Sequence, residues 1–435
     1  MLQTETARRL LPPAAALALF AVVAGLWLGG AHKLYADVIL YFGVDPFAHP
    51  FDDTDTVMSA LRCLRAGVDV FATNPCDPEG RLYDYSPLWL ELARLPVTGA
   101  WLNPAGLVVD ALFFASLLLL PAARDARGAV TVAAGTIGSQ AVFALERGNN
   151  DLVIFVLAVA AAWLLARSAR ARLAGYAAIL LAAMLKYYPL MAMAAAFREK
   201  PARFVAVTAA SLAIAAAFIA FYRVDLPRAL ALVPATSPIN NPFGASNIGL
   251  IAGRFLDVPP LGQKAITLCL SLAALLAGWS LARRAETGAA LAALDAREHS
   301  ALMVCALVAI GCFFTAQNIG YRQIMLLIGL PSLVALARRD DVGALRRLVY
   351  PAMALLWADF WREHLIALGT IVDGPRGYVL ARLETSAVHE VLWWWLVTMF
   401  LGLVLRMVFD SEVGRLALAR GPLARLGPTA LPATA

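Results

Sequence analysis

The chain has 435 residues, of which 61% are hydrophobic and only 15% charged, with a formal net charge of +6. Soluble domains carry about 25% charged residues, so these figures exclude a soluble multidomain protein, a disordered chain and a disulfide scaffold, and leave a polytopic membrane protein. The basic excess needs no nucleic-acid partner, because the arginines and lysines sit in short clusters between apolar runs, as cytoplasmic loops do.

The first apolar run covers about residues 10–30 behind Arg8 and Arg9, which predicts an uncleaved helix with a cytoplasmic N-terminus. Residues 31–96 form the longest polar stretch and predict a large first extracytoplasmic loop. Spans are expected near 97–121, 128–145 and 152–166. The segment 173–197 has basic clusters at both ends, Arg167 to Arg172 and Arg198 to Arg203. It therefore predicts two short helices that meet at Lys186-Tyr187-Tyr188-Pro189 and return to the same side, with the non-helical backbone buried in protein or facing a wet cavity.

Further spans are expected near 204–222, 264–283, 300–316, 323–337, 348–366 and 388–408. Counting the hairpin once gives about eleven membrane elements in one all-α domain over 1–415, followed by a cytoplasmic tail, 416–435, expected to be disordered. Cys269, Cys305 and Cys312 lie inside apolar runs and read as small buried hydrophobes.

This topology gathers four polar groups on the outer side: the acidic loop, Glu146 to Asp151, the stretch Asn240 to Asn247, and Gln317 to Gln323. Asp52, Asp53 and Asp55 stand at the start of an amphipathic segment ending at Arg65, where aspartate serves either as a helix-start residue or as a general base. Lys186, between two apolar halves, is costly in lipid and points to function, with snorkelling as the plain alternative. With Arg322 and the tyrosines Tyr187, Tyr188 and Tyr321 it suits an anionic head group. Cys63 and Cys76, in an oxidising compartment, are expected to form a disulfide rather than stay free. The five histidines have no metal-ligand spacing.

The order of the acidic cluster, Ala66-Gly67, Tyr83-Asp84-Tyr85-Ser86-Pro87-Leu88-Trp89, Glu146 to Leu152, Lys186 to Pro189 and Tyr321-Arg322 resembles glycosyltransferase family 87, of the GT-C superfamily, over about residues 50–331. The resemblance implies a membrane enzyme of GT-C-like fold that moves a sugar, mannose in many members, from a polyprenyl phosphate to a lipid or glycan acceptor at the outer face of the cell's inner membrane. It implies Asp53 as the base, with Asp55 and Asp52 as neighbouring choices. Lys186, Arg322, Tyr321 and Tyr187 would hold the donor phosphate, and Asn149, Asn150, Asp151, Tyr85 and Asn247 would bind sugar or acceptor. No metal or other cofactor is implied where lysine and arginine supply the charge; membrane lipids are the surroundings. Tyr85-Ser86-Pro87 stands where the family has Tyr-Pro-Pro, and Asn318 to Gln323 replaces its histidine-bearing motif. A transporter or flippase of lipid-linked glycans is the competing class; it would place its polar residues at the bilayer midplane and show internal repeats.

Overall fold

The computed structural model describes residues 4–47, 49–233, 242–315 and 317–420. Asn240, Asn241 and most of the expected tail, residues 421–435, lie outside them; residues 416–420 are helical, in Glu412–Arg420. The described chain is all-α apart from one short antiparallel pair, Pro242–Phe243 against Asn318–Ile319, in the register Pro242 to Ile319 and Phe243 to Asn318.

Six helices are long and apolar enough to cross a membrane, and a seventh span arises if the bent pair Ala126–Thr136 and Ser139–Glu146 counts as one. Shorter apolar helices at Asn150–Leu165 and Gly320–Leu336 complete the bundle. Ala296–Thr315 is its axis: 83% of its apolar window is buried, against 17% for Glu5–Leu28 and 11% for Pro201–Phe221, which face outward. An outward face that is apolar is what lipid, not water, selects. The axial helix packs on Asn150–Leu165, Leu326–Leu336, the 3-10 helix Tyr188–Arg198 and Ala358–Asp410.

The element expected as one span at 128–145 bends by 43° at Ile137-Gly138, where a Cβ on Gly138 would meet the carbonyl of Leu356 at 2.5 Å. The segment around Lys186 is a helix, Ala169–Leu185, followed by the 3-10 helix Tyr188–Arg198. Arg172 Nη2 donates to Glu199 Oε2 at 2.8 Å, and Tyr176 Oη to Oε1 at 3.0 Å, so the two ends of the hairpin are tied together and Lys186 lies at its tip.

The two expected spans at 348–366 and 388–408 are joined differently from a plain loop. Ala358–Asp410 is helical throughout except at Asp373 and Gly374, where the chain reverses. Gly374 has φ 55° and ψ −138°, a conformation open only to glycine. Arg362 Nη2 reaches Ser386 Oγ at 3.0 Å, although a straight helix would hold these residues ~36 Å apart. Among the cysteines, Cys305 and Cys312 are buried, but Cys269 is exposed on the outward-facing helix Pro260–Ala282, because that helix buries only a narrow stripe.

Candidate active site

Asp52–Arg65 begins without a side-chain cap, on Phe51 in the left-handed region at φ 66°. Its start is instead docked on the turn that follows Glu146. Phe51 N donates to the Glu146 carbonyl at 2.8 Å, Asp53 N to the Arg147 carbonyl at 3.1 Å, and Thr54 Oγ to the Gly148 carbonyl at 2.6 Å. Gly148 has φ 53°, and a Cβ there would meet Thr54 Oγ at 2.5 Å, so the close approach requires glycine. Phe51 is held in its uncommon conformation by these contacts.

The docking aims Asp53 at two donors. Asn149 Nδ2 donates to Asp53 Oδ2, and Arg147 Nη1 to Oδ1 at 3.2 Å. Asn149 Oδ1 accepts from Asp151 N at 2.7 Å and so caps the helix Asn150–Leu165. One turn therefore positions Asp53 on one side and Asp151 on the other.

The Asp151 side chain is fully buried. Its Oδ2 accepts from Lys186 Nζ at 2.7 Å and from Arg322 Nε at 3.2 Å, and its Oδ1 from Tyr188 Oη at 2.7 Å. Arg322 Nη1 also donates to Asn318 Oδ1. Lys186 Nζ lies 5.4 Å from the Tyr85 ring centre and 5.8 Å from that of Tyr321, and the Arg322 guanidinium lies 5.8 Å from Tyr188. An aromatic box holds both cations beside one carboxylate. Asp151 is bonded to two positive groups, and both cations retain surface: 11% of the lysine side chain and 17% of the arginine side chain. The arrangement can accept one further anion.

The neighbouring carboxylates have other partners. Asp52 accepts a bidentate pair from Arg81, at 2.6 and 3.1 Å. Asp55 accepts from Ser59 Oγ at 3.1 Å, with Arg62 at 3.6 Å. Neither caps the helix nor faces solvent. Cys63 and Cys76 are joined by a disulfide that closes the end of the same helix on its loop. In that loop burial raises the Asp84 carboxyl above the ordinary aspartate range, against the opposing influence of Lys186 and Arg322.

Of the residues named from the sequence, Asp53, Asn149, Asp151, Tyr85, Lys186, Tyr321 and Arg322 come together. Asp151, expected as a sugar ligand, is enclosed and accepts from three donors, two of them the cations. Asn149 likewise spends its amide on Asp53 and on the helix start. Asn150 keeps a buried Nδ2 with no partner. Tyr187 lies beside Ser86 and Tyr83, and it is Tyr188 that reaches Asp151. Asn247 stands off to the side, its Nδ2 donating to Glu390 at 2.9 Å and its Oδ1 accepting from Gln317 at 3.2 Å. Arg147 and Arg81 were given no role from the sequence. The available signal was that Arg81 and Arg147 stand in segments expected outside, where arginine is scarce and an unpaired one stands out. Among the described residues no group of three His, Cys, Asp or Glu side chains is placed to hold a metal ion.

Residues 86–311, about half of the chain, match the family model of glycosyltransferase family 87. No curated protein and no solved structure matches the chain.

Proposed function

We propose how this chain works from the fact that it belongs to glycosyltransferase family 87: it moves a sugar, mannose being the first to test, from a polyprenyl-phosphate donor to a lipid or glycan acceptor. Asp53 is the general base. Its carboxylate takes the proton of the acceptor hydroxyl as that oxygen bonds to the anomeric carbon. The bond from that carbon to the phosphate oxygen breaks, and its electron pair leaves on the polyprenyl phosphate. The charge gained by that phosphate is met by Lys186 and Arg322. A single base and a direct displacement give inversion, by analogy with hydrolases in which the nucleophile is water rather than protein. Asn150, with its free amide, and Tyr85, beneath Lys186, are the side chains nearest to hand for sugar hydroxyls.

One observation carries this reading: Asp53 and the Lys186–Arg322 pair are both positioned by the turn Asn149 to Asp151, a base and a phosphate clamp on one support. The side of the membrane is read from the distribution of charge. Ion pairs with Arg124, Arg172 and Arg338 lie at the helix ends away from Asp53, supporting a cytoplasmic assignment for those ends and an extracytoplasmic site.

The test is Asp53→Asn in the full-length protein reconstituted in bilayers, with a polyprenyl-phosphate sugar as donor. Transfer should fall by ~10²–10⁴, the contribution of a positioned base, while the lipid phosphate still binds. Lys186→Met and Arg322→Gln should instead weaken donor binding more than acceptor binding. Full activity in Asp53→Asn overturns the assignment.

A further inference from the structure

A cavity of about 140 Å³, far larger than one water molecule needs, opens between Glu5–Leu28, Leu102–Leu117 and the bent pair ending at Glu146. Phe20, Trp27, Ile39 and Leu107 make its wall almost wholly apolar, and its floor reaches Phe51 and Glu146. Along the first helix it extends from Ala16 to Leu28, ~18 Å at the helical rise and more than half of a ~30 Å hydrocarbon core. A groove of that length, open along one side, suits part of an extended alkyl chain.

The floor is not apolar. Glu146 is 7% exposed; its Oε1 accepts from Tyr35 Oη at 3.1 Å, and its Oε2 is buried with no partner. Phe51, beside it, leads directly into Asp52 and Asp53, so the Asp53 Cα stands within ~7.6 Å of the Phe51 Cα. The head end of the cavity is thus acidic, with Glu146, Asp52 and Asp53, of which the latter two are already paired with Arg81 and Arg147. No lysine or arginine lines the groove, and Lys186 and Arg322, the cations that suit a lipid phosphate, are bonded to Asp151 instead. Glu146 Oε2, which has no hydrogen-bond partner, becomes an acceptor for a neutral head rich in hydroxyls once that side chain turns out of its buried position toward the groove.

We infer that this groove binds the hydrocarbon chain of the acceptor, which is therefore a lipid with an uncharged, hydroxyl-bearing head, and that it delivers that head to Asp53. The inference rests on Asp53 being the base. It separates the two lipids by charge: acceptor chain along the first helix, donor phosphate at Lys186 and Arg322.

The experiment uses the full-length protein in nanodiscs and a hexadecyl glucoside carrying a mid-chain diazirine. Light should attach it within residues 16–28 and 102–117. Unmodified hexadecyl glucoside should compete, and undecaprenyl phosphate should not. Ala24→Trp and Leu107→Trp, on two different walls, should each cut labelling roughly tenfold, the cost of excluding about two methylenes. Equal competition by undecaprenyl phosphate, labelling spread evenly over the outward-facing helices, or wild-type labelling in both tryptophan variants overturns the inference; the competition arm needs no variant to fold. If the groove stays unlabelled while Asp53→Asn still abolishes transfer, the groove assignment alone fails. If Asp53→Asn transfers normally, the function proposed above fails first.

Discussion

Replacing Asp151 with asparagine keeps the side-chain shape and removes the one charge that holds two cations together. Lys186 Nζ and Arg322 Nε bond to the same oxygen at 2.7 and 3.2 Å, so the two nitrogens are no more than ~6 Å apart, and at an effective dielectric of about 20 their bare repulsion is about 3 kcal/mol. Breaking a buried pair by deleting one partner costs about 3–5 kcal/mol by independent measure, so the two figures agree. Spread over an unfolding entropy scaled to 435 residues, that loss lowers the melting temperature by about 3–5 °C. The assay is thermal unfolding of Asp151→Asn in nanodiscs with and without undecaprenyl phosphate. A lipid phosphate restores the missing negative charge, so it should stabilise the variant more than the wild type. Asp110→Asn is the control: both carboxyl oxygens of Asp110 are buried without a hydrogen-bond partner, so this change should not lower the melting temperature. An unchanged melting temperature in Asp151→Asn, or equal stabilisation of both proteins by the lipid, refutes the view that Asp151 holds the cations for a phosphate.

Gly148→Ala should reduce transfer at least ~10-fold while the protein still inserts, because a Cβ at φ 53° is strained and strikes Thr54, displacing the start of the Asp53 helix; transfer kinetics on membranes with matched protein content measure it. Cys63→Ser with Cys76→Ser, which opens a short loop, should cost about 3 kcal/mol in the loop region, seen as new proteolytic cleavage between residues 66 and 80. Asp84→Asn should raise stability at neutral pH. The raised Asp84 carboxyl contributes stability below the ordinary aspartate range and loses it as pH rises through its folded value. The difference in melting temperature between variant and wild type should therefore shrink toward acid pH.

Much of the scaffold was legible because lipid imposes simple demands. Apolar runs with basic flanks fixed most helices, and equal basic flanks exposed the return at Lys186, which the contact between Arg172 and Glu199 closes. The bend at Gly138 was not legible: its cause is the carbonyl of Leu356, more than 200 residues away. The polar arm after Gly374 lowers local hydropathy and reads as a loop, although helix continues through it and Arg362 and Ser386 pair across the turn. At the site, Lys186 stood out because a lysine between apolar halves needs a partner. Which carboxylate supplied that partner could not be read, since Asp53 and Asp151 sit beside equally polar neighbours and only the fold decides which one is enclosed.

That division between the two aspartates follows from burial. Both touch Asn149 and both are paired with cations, Asp53 with Arg147 and Asp151 with Lys186 and Arg322, so the presence of a cation alone does not separate them. Asp151 has no exposed side-chain surface, so an acceptor hydroxyl does not reach the two oxygens on which three donors already converge. Asp53 has two donors and keeps 8% of its side-chain surface, with its backbone two residues from the floor of the apolar groove. A base has to reach a substrate proton directly or through one water; a positioning group has to be saturated so that it does not compete for one. Exchanging the roles would require Asp151 to release Lys186 or Arg322 inside the bundle, at the ~3 kcal/mol or more worked out above, whereas Asp53, which keeps some exposed surface, needs only to share an oxygen with the substrate. The lower cost favours Asp53 as the proton acceptor and Asp151 as the anchor of the phosphate clamp.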